Sequence, residues 1–329
     1  MSLRFADALQ ACLNQIPPGK VATCGAVARA LGDVRAARAV AEWLRNHPDT
    51  MGSHRVVRAD GRSILPDAER DLEREGETDS GGHASHSRFL DALPEAPLLQ
   101  ELRDEQRRLA TQIRERDENS PIERFGGADV SYLGDLAFAV AVTVDAESLE
   151  PTEIVIRRTV VDFPYIPTYL AFREFPGIRA ALGGLRRKPD VLFIDGHGRL
   201  HPLLFGFACY AGTKLDLPTI GIAKHPLAGR TVPSAGAPKD VAPIRLEGSV
   251  RGYAWRPPRA SRPIYVSVGH RVSLNGALAL TRRATREKYP EPLRVADRIS
   301  KEEKSKNRER SASERAARTR PPAQSSQGI

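Results

Sequence analysis

KPDVLFIDGHGRLHP, residues 188–202, holds an unbroken apolar run, Val191–Ile194, that ends in an acid, Asp195. A short apolar run bounded by Pro189 and Gly196 reads as a strand buried on both faces, as in a sheet covered by helices on both sides. Its terminal carboxylate stands where the strand opens into Gly196-His197-Gly198. Upstream, Ala128–Tyr132, Leu136–Val144 and Glu153–Phe163 are rich in Val, Ile and Phe and read as strands, followed by a helix over Thr168–Leu185. Downstream, the pattern predicts a helix over Phe205–Leu215, strands over Thr219–Ala223 and Ile264–Val268, and helices over Ser273–Tyr289 and from Pro292 onward. Antiparallel strands followed by alternating helix and strand predict an α/β domain, a mixed sheet flanked by helices.

A separate unit precedes it. Phe5, Leu9, Cys12, Leu13 and Ile16 recur at helical spacing, and Pro17-Pro18-Gly19 ends that helix. A short helix over Thr23–Leu31, a turn at Gly32-Asp33 and a helix over Val34–Leu44 with Asp33 as its N-cap outline a helix-turn-helix. Residues 63–92, including DAERDLEREGETDSGGHASHS, are polar and rich in Gly and Ser and read as a flexible linker. From Lys301 the chain has almost no apolar residues, which predicts a disordered basic tail over 301–329. The expected division is therefore 1–62, linker 63–92, main domain 93–300 and tail.

Lys and Arg outnumber Asp and Glu by 50 to 41, a formal charge of +9, which makes a polyanion the first partner to consider. The three cysteines have no metal-type spacing; Cys12 and Cys209 lie in apolar patterns and read as buried thiols of a reducing, cytoplasmic environment. No apolar run is long enough to span a bilayer.

Four acids could converge: Asp129 in GADVSY, Glu174 in AFREFP, Asp195, and Asp297 in PEPLRVADRIS. Magnesium prefers oxygen ligands and keeps several waters, so a few carboxylates suffice to hold it against a phosphodiester. Singly, each has an ordinary reading as a turn, helix or surface acid; together they fit hydrolysis.

Residues 98–300 resemble the endonuclease V family. The matching segments, in order, are GADVSY, FPYIPTYLAFRE, KPDVLFIDGHGRLHP with FGFA, LDLPTIGIAK, VSVGHRVSL and PEPLRVAD. The resemblance implies a ribonuclease H-like fold and a DNA repair endonuclease that cuts the second phosphodiester bond 3′ to deoxyinosine, leaving 3′-hydroxyl and 5′-phosphate ends. It implies Mg2+, with Mn2+ able to substitute, held by Asp129, Asp195 and Glu174 and assisted by Asp297. Lys224 would neutralise charge at the scissile phosphate. His201 would touch phosphate or water, or else be a helix-start histidine satisfied by backbone. Pro164, Tyr165 and Ile166 would form the base-sensing wedge, with Tyr165 entering the gap left by a displaced base. Backbone at Gly196, Gly198, Leu200 and Gly206 would read that base. This sequence departs from the family's pattern at Thr168 and Phe175, where glycine is usual, and at His197, which puts base preference in question.

Residues 5–62 resemble the DNA-binding domain of alkylguanine-DNA alkyltransferases through IPPGKVATCGAVARALG, RAARAV, NHP and HRVVRADG, implying a small winged helix-turn-helix-like module. Arg38, with Arg35, would face DNA. Ser53 stands at the acceptor-cysteine position, and a hydroxyl is a far poorer nucleophile than a thiolate. The expectation is a monomer that nicks deoxyinosine DNA with a non-catalytic DNA-binding module in front. The alternatives are an inosine-specific ribonuclease or a non-catalytic damaged-DNA binder.

Overall fold

The computed structural model describes residues 5–66, 68–76, 78–79, 81–117, 121–233 and 240–319, with side chains to residue 310. In the front unit, α1 (Phe5–Leu13) buries Phe5, Leu9, Cys12 and Leu13 along one stripe. After β1 (Ala22–Thr23), the Thr23 hydroxyl accepts from the Ala26 amide and caps α2 (Cys24–Ala30). Asp33 caps the next segment through the Arg35 amide, as expected, but that segment begins as a 3-10 turn, Val34–Ala36, before α3 (Ala37–Asn46). A short parallel pair joins β1 to β2 (Val56–Val57).

The expected flexible linker is instead folded onto this unit. It forms α4 (Glu69–Glu75), buries Leu72, and returns along β1, where Val21 donates to the Arg88 carbonyl and Leu90 to the Val21 carbonyl, both at 2.9 Å. Two side chains fasten it. Arg88 donates to the Leu72 and Gly19 carbonyls, and Glu75 accepts from Arg55 Nη2 at 2.6 Å and faces His54 Nε2 at 3.1 Å. The Arg55 guanidinium holds the Glu75 carboxyl down at about 2, against the opposing effect of burial. An acid with a depressed folded-state pKa stabilises the fold above its ordinary value, and that stability is lost as pH falls from about 4.5 toward about 2. Glu75→Gln is expected to lower stability at neutral pH by about 1.5–3 kcal/mol. Thermal melts of parent and variant should converge on acidification through that window; a gap that stays constant refutes the assignment.

The helix α5 (Leu98–Ala110) belongs to both units: Leu98 and Leu99 sit in the front core and Leu109 in the rear one. Beyond it lie β3 (Arg124–Leu133), β4 (Leu136–Asp145), β5 (Pro151–Val160), α6 (Leu170–Leu182), β6 (Val191–Asp195), α7 (Phe207–Leu215), β7 (Thr219–Ala223), β8 (Arg230–Thr231), β9 (Val241–Leu246), β10 (Ser249–Trp255), β11 (Ile264–His270), α8 (Leu274–Arg283) and α9 (Glu291–Thr319). One nine-stranded mixed sheet runs in the order β5-β4-β3-β6-β7-β11-β10-β9-β8. Strand β6 is parallel to both neighbours and the outer pairs are antiparallel.

One face is covered by α8 and α9 over Phe125, Val140, Phe193 and Ile222, the other by α6 and α7 over Ala139, Leu192 and Ile194. The α/β mixed sheet flanked by helices that the strand and helix pattern predicts, and that the resemblance implies, is thus the observed fold. The tail differs from expectation: α9 continues past Lys301 to Thr319, its first turns carrying Lys301–Asp297, Arg298–Glu302 and Lys306–Glu303 pairs at helical spacing. The rest of the expected tail, 320–329, lies outside the described residues. No helix among them is long and apolar enough to cross a membrane.

Candidate active site

Sheet register brings the first two acids together. Strands β3 and β6 pair Ala128 with Ile194, so Asp129 and Asp195 follow side by side on the face toward α9. Asp195 in turn pairs with Ile222, and Lys224 lies two residues beyond on the same side; its Nζ meets Asp195 Oδ2 at 3.1 Å. The close approach of α9 rests on Gly127, where a Cβ would lie 2.3 Å from the Pro292 carbonyl carbon. That contact brings in Asp297, whose carboxylate accepts from Lys301 at 2.7 Å, and Ser300, whose hydroxyl donates to Asp129 Oδ2 at 2.5 Å. Glu174 enters from α6.

The electrostatics show how closely these groups sit. Burial pushes the Asp129 carboxyl up, and the charges of Asp195 and Asp297 push further, while the Ser300 hydroxyl opposes. Glu174 is raised to about 8, first by burial and then by the charges of Asp129 and Asp195. For Lys224, burial pulls downward, but Asp195, Asp297 and Asp129 together outweigh it and the net shift is upward. Crowded carboxylates that raise one another, with one lysine and one serine to offset them, are a poor arrangement for stability and a good one for a hard cation. Among the described residues no three acidic, histidine or cysteine side chains are already gathered into a coordination cage. The all-oxygen donor set nevertheless fits magnesium, which needs one or two protein carboxylates beside water and phosphate.

Next to Asp195 opens a cavity of about 370 Å³, lined by Tyr165, Pro167, Thr168, Gly196, His197, His201, Phe207 and Lys224 among others. Behind the lining residues Gly196 and His197, backbone packs against backbone. A Cβ on Gly198 would lie 1.9 Å from the Val268 carbonyl oxygen, and one on Gly206 2.3 Å from that of His197, so only glycine allows this packing. Tyr165 projects from the rim, 61% exposed, between the buried Pro164 and Ile166.

The wedge expectation needs correction at Ile166. That side chain is 0% exposed, packed with Phe163 and Tyr169 in the core of the front unit, so it braces the loop and does not reach nucleic acid. Leu200 is likewise buried, against Ile244 and Ala254, and does not line the cavity. His201 is 3% exposed; burial pulls its pKa down to about 3, and its ring bonds the Thr168 backbone and the Leu203 amide. It lines the cavity wall with its ring bonded to neighbouring backbone. Thr168 has φ +72°, a left-handed conformation costing a β-branched residue on the order of 1–3 kcal/mol.

Three neighbours of the acids went unread in the sequence: Ser300, Tyr289 and Tyr132. The Tyr289 hydroxyl is raised by burial and by Asp195, and the Lys224 ammonium stands 5.0 Å from its ring centroid. Tyr132 is raised by burial and by Glu174. Ser300 alone had a signal, its i+3 spacing from Asp297 on one helix. Cys12 and Cys209 are inert, their thiols pushed by burial to about 11 and about 12. Ser53 is buried, its hydroxyl donating to the Pro48 carbonyl at 2.9 Å. Arg35 and Arg38 are exposed, Arg35 forking onto Asp33 at 2.7 Å.

A ribonuclease H-like sheet with carboxylates crowded across its parallel strands, beside a base-sized cavity, defines a metal-dependent nuclease. Residues 107–298 match the family model for endonuclease V, and residues 4–76 that for the DNA-binding domain of 6-O-methylguanine DNA methyltransferase. The endonuclease V of Thermofilum pendens is 43% identical over 208 residues, 62% of this chain and 88% of that one. The crystal structure of the Streptomyces avermitilis endonuclease V aligns with TM-score 0.59 at 36% identity, over 63% of this chain and 93% of that one. That of Ciona intestinalis endonuclease V, in complex with DNA containing an inosine followed by a ribo-adenosine, aligns with TM-score 0.57 at 27% identity, over 63% and 98%. The chain belongs to the endonuclease V family.

Proposed function

We propose that this protein nicks DNA at the second phosphodiester bond 3′ to deoxyinosine, leaving 3′-hydroxyl and 5′-phosphate ends, in the cytoplasm and as a monomer. The observation that carries the reading is the adjacency of Asp129 and Asp195 on neighbouring strands, with Asp195 also forming the edge of the cavity under Tyr165. Asp129 and Asp195 hold Mg2+, or Mn2+ in its place, with Glu174 completing the acidic centre and Asp297 assisting from α9. The metal supplies Lewis acidity toward the scissile phosphate and lowers the pKa of the attacking water. Lys224, whose Nζ lies 3.1 Å from Asp195, would offset the charge that builds at the scissile phosphate. Tyr165 fills the gap left by the extruded base, and the backbone around Gly196 reads that base, with Gly198 and Gly206 letting the segments behind it pack closely.

The front unit adds grip on duplex DNA through Arg35 and Arg38 without alkyl transfer, since Ser53 is buried and weakly nucleophilic. The test is a gel assay on a duplex bearing one deoxyinosine, run with magnesium, with manganese and with chelator, beside an RNA strand of the same sequence carrying inosine. Nicking of the DNA only with metal is expected. Cutting confined to the RNA makes the protein an inosine-specific ribonuclease, and binding without cutting makes it a damaged-DNA binder.

A further inference from the structure

The front unit does not hang from the nuclease; it packs behind the loop that lines the base cavity, and the shared helix α5 contributes Gln106 to the lining. The segment that carries Tyr165 has Phe163, Ile166 and Tyr169 in the same core as α1, α2 and α3, and Phe5 meets Phe163 edge-on at 5.8 Å. Behind Thr168 lies a fully bonded clasp between the two units. Arg103, on the shared helix α5, donates from Nη2 to Thr168 Oγ1 at 2.8 Å and reaches Asp33 Oδ2 at 3.3 Å. Its guanidinium lies over the Tyr169 ring at 4.1 Å, and the Tyr169 hydroxyl donates to Asp33 at 2.9 Å. Gln106 accepts from Arg103 and donates to the Thr168 carbonyl at 3.1 Å.

Asp33 is also the residue that caps the turn into α3 and holds Arg35, so the end of the DNA-facing helix and the wall of the cavity share one carboxylate. Thr168 is the cavity-lining residue whose left-handed backbone a threonine does not adopt unaided. We infer that the Asp33–Arg103 clasp holds Thr168 and the Tyr165 loop in their working shape, making the front unit a positioning element for base discrimination. Where a glycine would take this conformation freely, this chain uses a threonine pinned from both sides of the interface.

The inference rests on the deoxyinosine reading, and the experiment separates the two. Full-length parent, Arg103→Met, Asp33→Asn and Arg103→Met/Thr168→Gly are compared for the ratio of kcat/KM on deoxyinosine and matched adenine duplexes. Metal-free complexes of the same proteins are read by fluorescence of a 2-aminopurine placed beside the inosine, which reports unstacking. Methionine keeps the length of the arginine stem, and Asp33→Asn keeps the Oδ1 acceptor that caps the Arg35 amide while removing the Oδ2 acceptor that Tyr169 and Arg103 share, so at least one single variant stays folded by melting.

Each single variant is expected to lower the ratio about tenfold, equivalent to about 1.4 kcal/mol, and to weaken the 2-aminopurine signal. Thr168→Gly should restore both in the Arg103→Met background, because glycine needs no clasp to keep its backbone left-handed. Unchanged discrimination in a folded single variant overturns the inference, as does a double variant no better than Arg103→Met. A parent that ignores deoxyinosine sinks the proposed function instead.

Discussion

Asp195→Ala is expected to reduce nicking of a deoxyinosine duplex by on the order of a thousandfold or more, the scale of several kcal/mol of charge stabilisation at the reacting phosphate. Asp195 is the side chain common to every part of the site. It stands beside Asp129 through the β3–β6 register, holds Lys224 at 3.1 Å, and borders the cavity below Tyr165. Its removal takes away a carboxylate where a cation needs one and lets Lys224 drift. The fold should survive, since this side chain is 31% exposed and its ion pair is with a lysine 54% exposed, a contact worth little to stability. Magnesium should raise the parent's melting temperature by binding only the native state, and raise the variant's less. Near-parental cutting by a folded Asp195→Ala protein would remove the carboxylate pair from the chemistry altogether.

What the sequence disclosed of this site followed from how local each cause was. Asp195 was legible because strand, terminal acid and glycine loop are consecutive, and Asp129 because it sits in a strand of matching pattern; their adjacency is a matter of register. Tyr289 and Tyr132 reach the acids only through tertiary packing, and nothing about their spacing announces it. The β9–β10 hairpin went unread although Glu247-Gly248, both with positive φ, is the pair a tight hairpin turn demands.

The span 63–92 looked like linker because its composition is polar. A few buried apolar side chains (Ile64, Leu65 and Leu72), one arginine–glutamate fork and one buried arginine hold it in place, and composition averages over such anchors. Ile166 was misassigned for a related reason. In a Pro-Tyr-Ile-Pro loop either large side chain could face outward, and the front unit's core, formed largely by residues far away in sequence from Phe5 to Leu99, decides that it is the tyrosine.

That choice makes Tyr165 the position of the second large effect. Tyr165→Ala is expected to lower kcat/KM on duplex deoxyinosine by about ten- to a hundredfold, from a base–aromatic stacking contribution of about 1–3 kcal/mol. Because the ring is 61% exposed and its neighbours Pro164 and Ile166 anchor the loop, melting should not change. Tyr165→Phe should keep most of the activity, since the face of the ring and not its hydroxyl fills the gap.

Substrates should rank by how much stack there is to repair. The loss should be greatest where the inosine is paired in a duplex, smaller where it is mismatched and already loosened, and smallest on a single strand, which leaves no stacked gap to fill. An equal loss on all three would mean that Tyr165 contacts the nucleic acid in some other way, and a loss confined to the single strand would reverse its assignment as a wedge.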